Sequence, residues 1–238
     1  MTPEEMVLRV LYRDGQMLVI DKPPGMSVHA GPLNSAKRRE SVEDHFDALR
    51  FGLPRAPALA HRLDRDTSGC LILGRHRKAL AELAKLFRNG AIDKTYWAVV
   101  EGAPETDEGV IDMPLGRLDA TRGWWMKHDP EGKPAVTNWK VMGRAGSMSW
   151  LRLQPLTGRT HQLRVHCAEM GWPILGDAVY GSAPRSGGPI LHLHAREIAI
   201  PFDKDCTPIH VDAPVPPHMR EALSACGWKD ERQMQAAE

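Results

Sequence analysis

The run His61-Arg62-Leu63-Asp64-Arg65-Asp66-Thr67-Ser68-Gly69 places two carboxylates, two arginines and a turn sequence directly before an apolar segment. A neighbouring arginine favours the ionised form of a carboxylic acid, and a carboxylate can act as a base or a nucleophile. Loops held by buried strands often carry such groups. The spacing also fits a surface cluster in which the acids pair with Arg62 and Arg65, or a metal site built on Asp64 and Asp66.

A second polar stretch is Gly158-Arg159-Thr160-His161-Gln162-Leu163-Arg164-Val165-His166. On a helix, His161 and Arg164 would share one side, so Arg164 could reach a cleft while the other side packs into the core. The two histidines are poorly spaced for joint metal ligation from one helix. Hydrogen-bonded packing is the simpler prediction for both. Tyr96, in Lys94-Thr95-Tyr96-Trp97-Ala98, is by itself typical of a packed tyrosine with a satisfied hydroxyl.

The elements that must position these residues follow from hydrophobic periodicity and turn residues. Strands are predicted at residues 16–20, 70–73, 95–100, 137–141, 149–153 and 191–200. Helices are predicted at residues 78–89, 160–170 and 217–225, and after Ser41, whose capping-box partner would be Asp44. Residues 102–133 are the least regular part.

Strands outnumber helices and do not alternate strictly with them. This pattern predicts an α+β fold, a single domain over residues 1–238 built on a mainly antiparallel, mixed and bent sheet flanked by helices and loops. The core would span about residues 11–216, and the tail 229–238 would be frayed.

The composition describes an ordinary globular chain of 238 residues, 42% hydrophobic and 26% charged, with a formal net charge of +1. Any nucleic-acid binding must therefore come from a local basic surface. Lys37-Arg38-Arg39 and Arg75-His76-Arg77-Lys78 are candidates, although ordinary solvated surface is the simpler prediction for either run alone. The four cysteines form no Cys-x-x-Cys pair, and Cys70 and Cys167 lie in apolar settings typical of buried thiols. With no signal peptide and no apolar run near ~20 residues, a cytoplasmic location is expected.

Taken together, the motifs resemble the RluA-type family of RNA pseudouridine synthases. The family signature His-Arg-Leu-Asp-x-x-Thr-Ser-Gly matches residues 61–69 at every fixed place, and the lysine–tyrosine strand and third motif resemble residues 94–98 and 158–166. Further matches are Asp21-Lys22-Pro23-Pro24-Gly25, Gly132-Lys133-Pro134-Ala135, Gly176-Asp177-x-x-Tyr180-Gly181, Leu193-His194-Ala195 and Ala213-Pro214-Val215-Pro216. The resemblance spans roughly residues 11–216 and implies a stand-alone catalytic domain without an N-terminal RNA-binding module.

The resemblance implies a role for each matched residue. Asp64 would be the essential carboxylate, while Asp66 falls at a variable position. Tyr96 would stack on the target base and could take part in proton transfer. Arg164 would pair with Asp64 and keep it ionised and aimed, and Arg62 would help to hold the flipped-out nucleotide or the gap it leaves.

The implied reaction converts uridine to pseudouridine in structured ribosomal or transfer RNA, and needs no cofactor and no metal. Attack by Asp64 at C1′, attack at C6 and removal of the 2′ proton all stay open. The protein would be a monomer with no membrane partner. Trp124, Trp125, Lys127 and His128 are hypothesised to form a basic–aromatic loop that touches RNA, the alternative being tryptophans packed on the body of the protein.

Two other functional classes compete with this interpretation. A metal-dependent or carboxylate hydrolase would use Asp64 and Asp66 equally and would lose activity with a chelator. An RNA-binding protein without catalysis would not need the set of Asp64, Tyr96 and Arg164.

Overall fold

The computed structural model describes residues 1–30, 40–118, 125–203 and 207–230. In these ranges the strands are β1 (Val10–Arg13), β2 (Met17–Lys22), β3 (Ala58–Leu59), β4 (Ser68–Gly74), β5 (Asp93–Glu101), β6 (Glu108–Asp112), β7 (Leu115–Arg117), β8 (Met126–His128), β9 (Val136–Ala145), β10 (Met148–Pro155), β11 (Leu193–Ile200) and β12 (Ile209–Asp212). The helices are α1 (Pro3–Leu8), a 3-10 helix (Val42–Leu49), α2 (Arg77–Arg88), α3 (Gln162–Glu169) and α4 (Pro217–Ala225).

Ten of these strands form one sheet, in the order β1-β2-β4-β11-β5-β10-β9-β6, with β3 added beside β4 and β12 beside β11. Neighbouring strands are antiparallel except β4 and β11, which run parallel. Strands β7 and β8 form a separate hairpin. The predicted α+β fold on a mainly antiparallel sheet is therefore confirmed.

All seven residues of β4 are buried, because the strand lies inside the sheet between β2 and β11. Its second residue, Gly69, has φ +106° and lies against the backbone of β11, where a Cβ atom would approach the Ala195 nitrogen and carbonyl carbon to 2.8 Å. Ala195 pairs with Gly69 on one side and with Tyr96 of β5 on the other. This row across three strands brings the end of the 61–69 loop next to Tyr96.

Alternation along β5 decides which face of the sheet carries the site. Ala98 and Val100 pack in the same hydrophobic cluster as α3, with Tyr96 against it. Val99 packs on the opposite face with α4. Tyr96 therefore points to the α3 side of the sheet.

Two predicted helices differ in detail from those observed. The segment after Ser41 has the predicted capping box with Asp44 but forms a 3-10 helix rather than an α-helix. The helix predicted at residues 160–170 begins at Gln162, because His161 has a left-handed backbone with φ 53° and ψ 19°. The irregular segment 102–133 contains β6, β7 and β8. Most of the tail predicted to fray lies outside the described residues.

Candidate active site

Asp64 lies in the turn between β3 and β4, where its carbonyl accepts a hydrogen bond from the Thr67 N–H at 3.2 Å. Its side chain is 19% exposed. It lines a cavity of about 510 Å³ together with residues from β5, the end of β10 and α3. The carboxylate is therefore partly withdrawn from water but reachable through the cavity.

Two side chains anchor this loop. The Lys22 ammonium group donates hydrogen bonds to the carbonyls of Pro23, Met26 and Arg65, at 2.7, 2.7 and 2.9 Å. Burial lowers the pKa of Lys22 to about 7, although the nearby carboxylates, those of Asp66 and Asp64 foremost, oppose this shift. The sequence analysis included Lys22 in a matched motif but assigned it no role. Its position at the end of an apolar strand was the signal that could have identified it as a positioning residue.

His61 is the second anchor. Its Nε2 atom accepts a hydrogen bond from the Ile72 N–H of β4 at 2.9 Å, and its ring stacks on Phe87 of α2 at 4.5 Å between centroids. Burial lowers the pKa of His61 to about 3, so the ring is neutral and able to accept. The loop that carries Asp64 is thus tied to β4 at its start and to the turn after β2 near its middle.

Tyr96 lines the same cavity from β5. Burial raises the pKa of its phenol, and the negative charge of Asp64 raises it further. The tyrosine is therefore a neutral aromatic group beside the carboxylate, with its ring available for stacking against a planar base.

The observed partner of Arg164 differs from the predicted one. Its Nε and Nη2 atoms donate to Asp177 Oδ2 and Oδ1, both at 2.7 Å, and the two side chains are 6% and 1% exposed. Asp177 also accepts from the N–H groups of Val179 and Tyr180. The expected direct pair between Arg164 and Asp64 is therefore corrected, because Asp177 offers a rigid bidentate partner. Burial by itself lowers the pKa of Arg164. The hydrogen bonds and charge of Asp177, followed by the charge of Asp64, outweigh burial and raise that pKa.

His161 stands between Asp64 and Tyr180. Its Nε2 atom lies 3.8 Å from Asp64 Oδ2, and its Nδ1 atom lies 2.8 Å from the Tyr180 hydroxyl. The side chain is buried, and its left-handed backbone costs about 1–2 kcal/mol for a residue with a Cβ atom. His166 fits the packing prediction, since Thr137 and the Met113 carbonyl satisfy its two ring nitrogens at 3.0 and 3.1 Å.

Positive charge surrounds the cavity. Among the described residues that line the cavity, Asp64 alone is acidic. Five lining residues are basic: Arg62, Arg88, Lys94, Arg159 and Arg164. Arg62, the fourth predicted site residue, is exposed at the rim. Burial lowers the pKa of Lys94, with Asp93 opposing. Because Arg164 is neutralised by Asp177, the other four provide the excess positive charge.

Several predicted features lie away from this cavity. Asp66 has a side chain 47% exposed, 3.7 Å from Arg65, and is not among the lining residues. Within the described ranges, no group of three or more histidine, cysteine, aspartate or glutamate side chains is arranged to hold a metal ion. Every helix described is too short or too polar to span a bilayer. Cys70 and Cys167 are buried thiols, as predicted.

The predicted basic and aromatic surfaces are described in part. Lys37-Arg38-Arg39 and Trp124 lie outside the described residues. Trp125 packs 5.2 Å from the Arg185 guanidinium, while Lys127 and His128 are exposed on β8. In the 75–78 run, Arg75 donates to backbone carbonyls and His76 caps α2, so half of that run is structural.

Comparison with known proteins decides the family. Residues 16–169 match the family model described as RNA pseudouridylate synthase. A protein of Zymomonas mobilis described as an RNA pseudouridine synthase is 43% identical over 215 residues, covering 87% of this chain and 94% of its own. Ribosomal large subunit pseudouridine synthase C of Vibrio cholerae is 33% identical, covering 90% of this chain and 68% of its own.

The chain belongs to the RNA pseudouridine synthase family.

Membership makes the enzyme an isomerase, and it confirms the RluA-type resemblance. The structure of human RNA pseudouridylate synthase domain containing 4 matches with a TM-score of 0.78 and 25% identity, covering 96% of each chain. The family match includes Asp64, Tyr96 and Arg164. The individual roles of these residues remain predictions.

Proposed function

We propose that the enzyme isomerises uridines to pseudouridine in structured ribosomal or transfer RNA, with Asp64 as the nucleophile and without a cofactor. The observation that carries the proposal is the placement of Asp64 beside the neutral ring of Tyr96 in a cavity whose other charged residues are basic. The names of relatives such as the Vibrio cholerae large-subunit synthase support ribosomal RNA as a substrate. The cytoplasmic location and the monomeric state stay predictions.

The reaction breaks the N1–C1′ bond of uridine and forms a C5–C1′ bond. The hydrogen on C5 leaves to solvent and N1 gains a proton, so no atom needs to come from a cofactor. Asp64 would supply the carboxylate that attacks, and the cavity would hold the detached uracil against Tyr96. Stacking of a base on an aromatic side chain contributes about 1–3 kcal/mol.

Arg164 would support Asp64 at a distance rather than as a direct partner. Its guanidinium group is held rigidly by Asp177. Its positive charge would attract the Asp64 carboxylate and help to keep it in place. The support for this role is the electrostatic interaction between Arg164 and Asp64. The charges of both residues also act on Tyr180 and His161.

The basic rim would bind the phosphates that flank the target nucleotide. A uridine inside an RNA helix must leave the stack before its C1′ atom can be reached. Arg62, Arg88 and Arg159 are exposed at the mouth of the cavity, where they could contact the backbone on either side of the flipped nucleotide. This local charge is consistent with RNA binding by a chain of net charge +1.

Tritium release tests the proposal. Bulk RNA labelled at uridine C5 is incubated with wild-type enzyme, with Asp64→Asn and with the control Asp66→Asn, each with and without EDTA. We expect release by the wild type and by Asp66→Asn, and a loss of at least about 10³-fold with Asp64→Asn, because that variant lacks the nucleophile.

Equal losses in the two variants, or complete inhibition by EDTA, would instead support a metal-dependent hydrolase. RNA binding without tritium release from any cellular RNA would support a binding protein that lacks catalysis. Either outcome overturns the proposal. Mapping of pseudouridines in cells that lack this gene identifies the RNA and the uridine.

A further inference from the structure

A chain of polar contacts leads from the β7–β8 hairpin to Asp64. The Met126 N–H of β8 donates to the Tyr180 hydroxyl oxygen at 2.9 Å. The same hydroxyl lies 2.8 Å from His161 Nδ1, and His161 Nε2 lies 3.8 Å from Asp64 Oδ2. Four segments that are distant in sequence meet in this chain, and it ends on the carboxylate assigned to catalysis.

The contacts favour one tautomer of His161. Because the Tyr180 oxygen already accepts the Met126 N–H, its own proton is available to donate to Nδ1 of the imidazole. Nε2 then carries the ring hydrogen and presents it to Asp64. The opposite tautomer would point the Nε2 lone pair at a negative carboxylate, which is electrostatically unfavourable.

We propose that His161 is a positioning residue for Asp64, and that Tyr180 sets its tautomer so that the Nε2–H group aims the carboxylate at the substrate. This inference rests on the proposed function of Asp64. The distance of 3.8 Å exceeds a hydrogen bond, but catalytic contacts are often long without substrate and tighten when substrate binds. Burial lowers the pKa of His161 while Asp64 opposes the shift, and the lowered pKa favours the neutral imidazole, which has a tautomer to set.

His166 provides an internal comparison with a purely structural histidine. It lies one turn further along α3, both of its ring nitrogens have protein partners, and it does not line the cavity. His161 lines the cavity, has one ring nitrogen directed at Asp64 and has a strained left-handed backbone. Local strain of this kind is common at functional sites, and ordinary packing does not require it.

Two substitutions interrupt this series of polar contacts without removing Asp64. Tyr180→Phe deletes the hydroxyl and keeps the ring beneath Arg164. His161→Asn removes the group that faces Asp64, while asparagine tolerates the left-handed backbone better than most residues. Tyr12→Phe is the matched control, because it deletes a half-buried tyrosine hydroxyl whose partner, Asp14, lies outside the cavity.

Single-turnover rates and RNA affinities distinguish a positioning role of His161 from a purely structural role. We expect the rate constant to fall about 10-fold in Tyr180→Phe and about 10²-fold in His161→Asn, with RNA dissociation constants within about 2-fold of wild type. The rate constant of the double variant should fall no further than that of His161→Asn alone, because both changes break the same series of contacts. Tyr12→Phe should match the wild type. Wild-type rates in both test variants, or losses that multiply in the double variant, overturn the inference.

Nitrogen-15 spectra of histidine give a readout that needs no activity. The ring of His161 should be the Nε2–H tautomer in wild type, and Tyr180→Phe should shift it towards a mixture. An Nδ1–H tautomer in wild type contradicts the inference. Asp64→Asn, assayed in parallel, separates the two proposals: if it remains active, the assigned role of Asp64 fails, whereas an inactive Asp64→Asn with fully active Tyr180→Phe and His161→Asn refutes the positioning role alone.

Discussion

The ion pair between Arg164 and Asp177 is buried almost completely, with side chains 6% and 1% exposed. Replacing Asp177 with asparagine keeps the shape of the side chain and removes its charge, so Arg164 remains as an uncompensated buried cation. Loss of one partner from such a pair costs about 3–5 kcal/mol. In a domain of this size that corresponds to a fall in Tm of roughly 6–20 °C.

Asp47→Asn is the matched control for this prediction. Asp47 Oδ1 lies 2.7 Å from Arg50 Nη2, the same N–O distance as in the buried pair, but the Arg50 and Asp47 side chains are 44% and 74% exposed. Exposed ion pairs contribute about 0–1 kcal/mol because water and salt screen them. Both variants remove a carboxylate that lies 2.7 Å from an arginine nitrogen, but only Asp177 is buried, uses both oxygens and also accepts two backbone N–H groups.

Urea and thermal unfolding measure both effects. Burial alone would raise the pKa of Asp177, but hydrogen bonds and charge from Arg164, with the N–H groups of Tyr180 and Val179, lower it below its ordinary value. The stabilisation is thus present above the pKa of an unfolded aspartate and is lost as pH falls through the lower folded value. The gap between wild type and Asp177→Asn should close at acid pH. Equal destabilisation by the two variants at neutral pH would refute the reasoning from burial.

Three further predictions concern stability and RNA binding. Gly69→Ala should destabilise the fold by about 2–5 kcal/mol in urea unfolding, because its Cβ would meet the backbone of Ala195 at a positive φ. Gly15→Ala, with open space around it, should change stability by less than about 1 kcal/mol, and equal effects would contradict the close approach. Burial lowers the pKa of His194 to about 3, so the free energy of unfolding should fall by up to about 1.4 kcal/mol per pH unit as pH drops below 6.5. His194→Asn should flatten that slope, and an unchanged slope would refute this assignment. Arg88→Gln should reduce the dependence of log affinity for RNA on log salt by about 0.7–0.9, whereas no change would place Arg88 away from phosphate.

Local sequence patterns determined most of the central elements. Strand β4 was predictable because an unbroken apolar run bounded by glycines is typical of a strand buried on both faces. Helix α2 was predictable from its apolar spacing and from the glycine that follows it. Strands β6 to β8 were missed because they are short and largely exposed, so pairing partners rather than burial patterns define them.

The sequence also determined the chemical groups of the site but not their partners. The motifs identified Asp64, Tyr96 and Arg164, and the cavity brings all three together. The prediction that Arg164 pairs with Asp64 was wrong, because the turn after α3 supplies Asp177 with both oxygens in bidentate geometry. Spacing along the chain did not reveal that competition between two carboxylates.

Only the tertiary structure decided the contacts around the carboxylate. Sequence reasoning assigned no role to Lys22 or Tyr180, and it predicted simple packing for His161. Their partners come from segments up to 97 residues away, brought together by the order of strands in the sheet. Periodicity reports which face of an element is buried, whereas a hydrogen bond depends on which segment crosses opposite that face. The sequence therefore determined which residues could perform the chemistry, and the packing of β4, β11 and β5 decided where they meet.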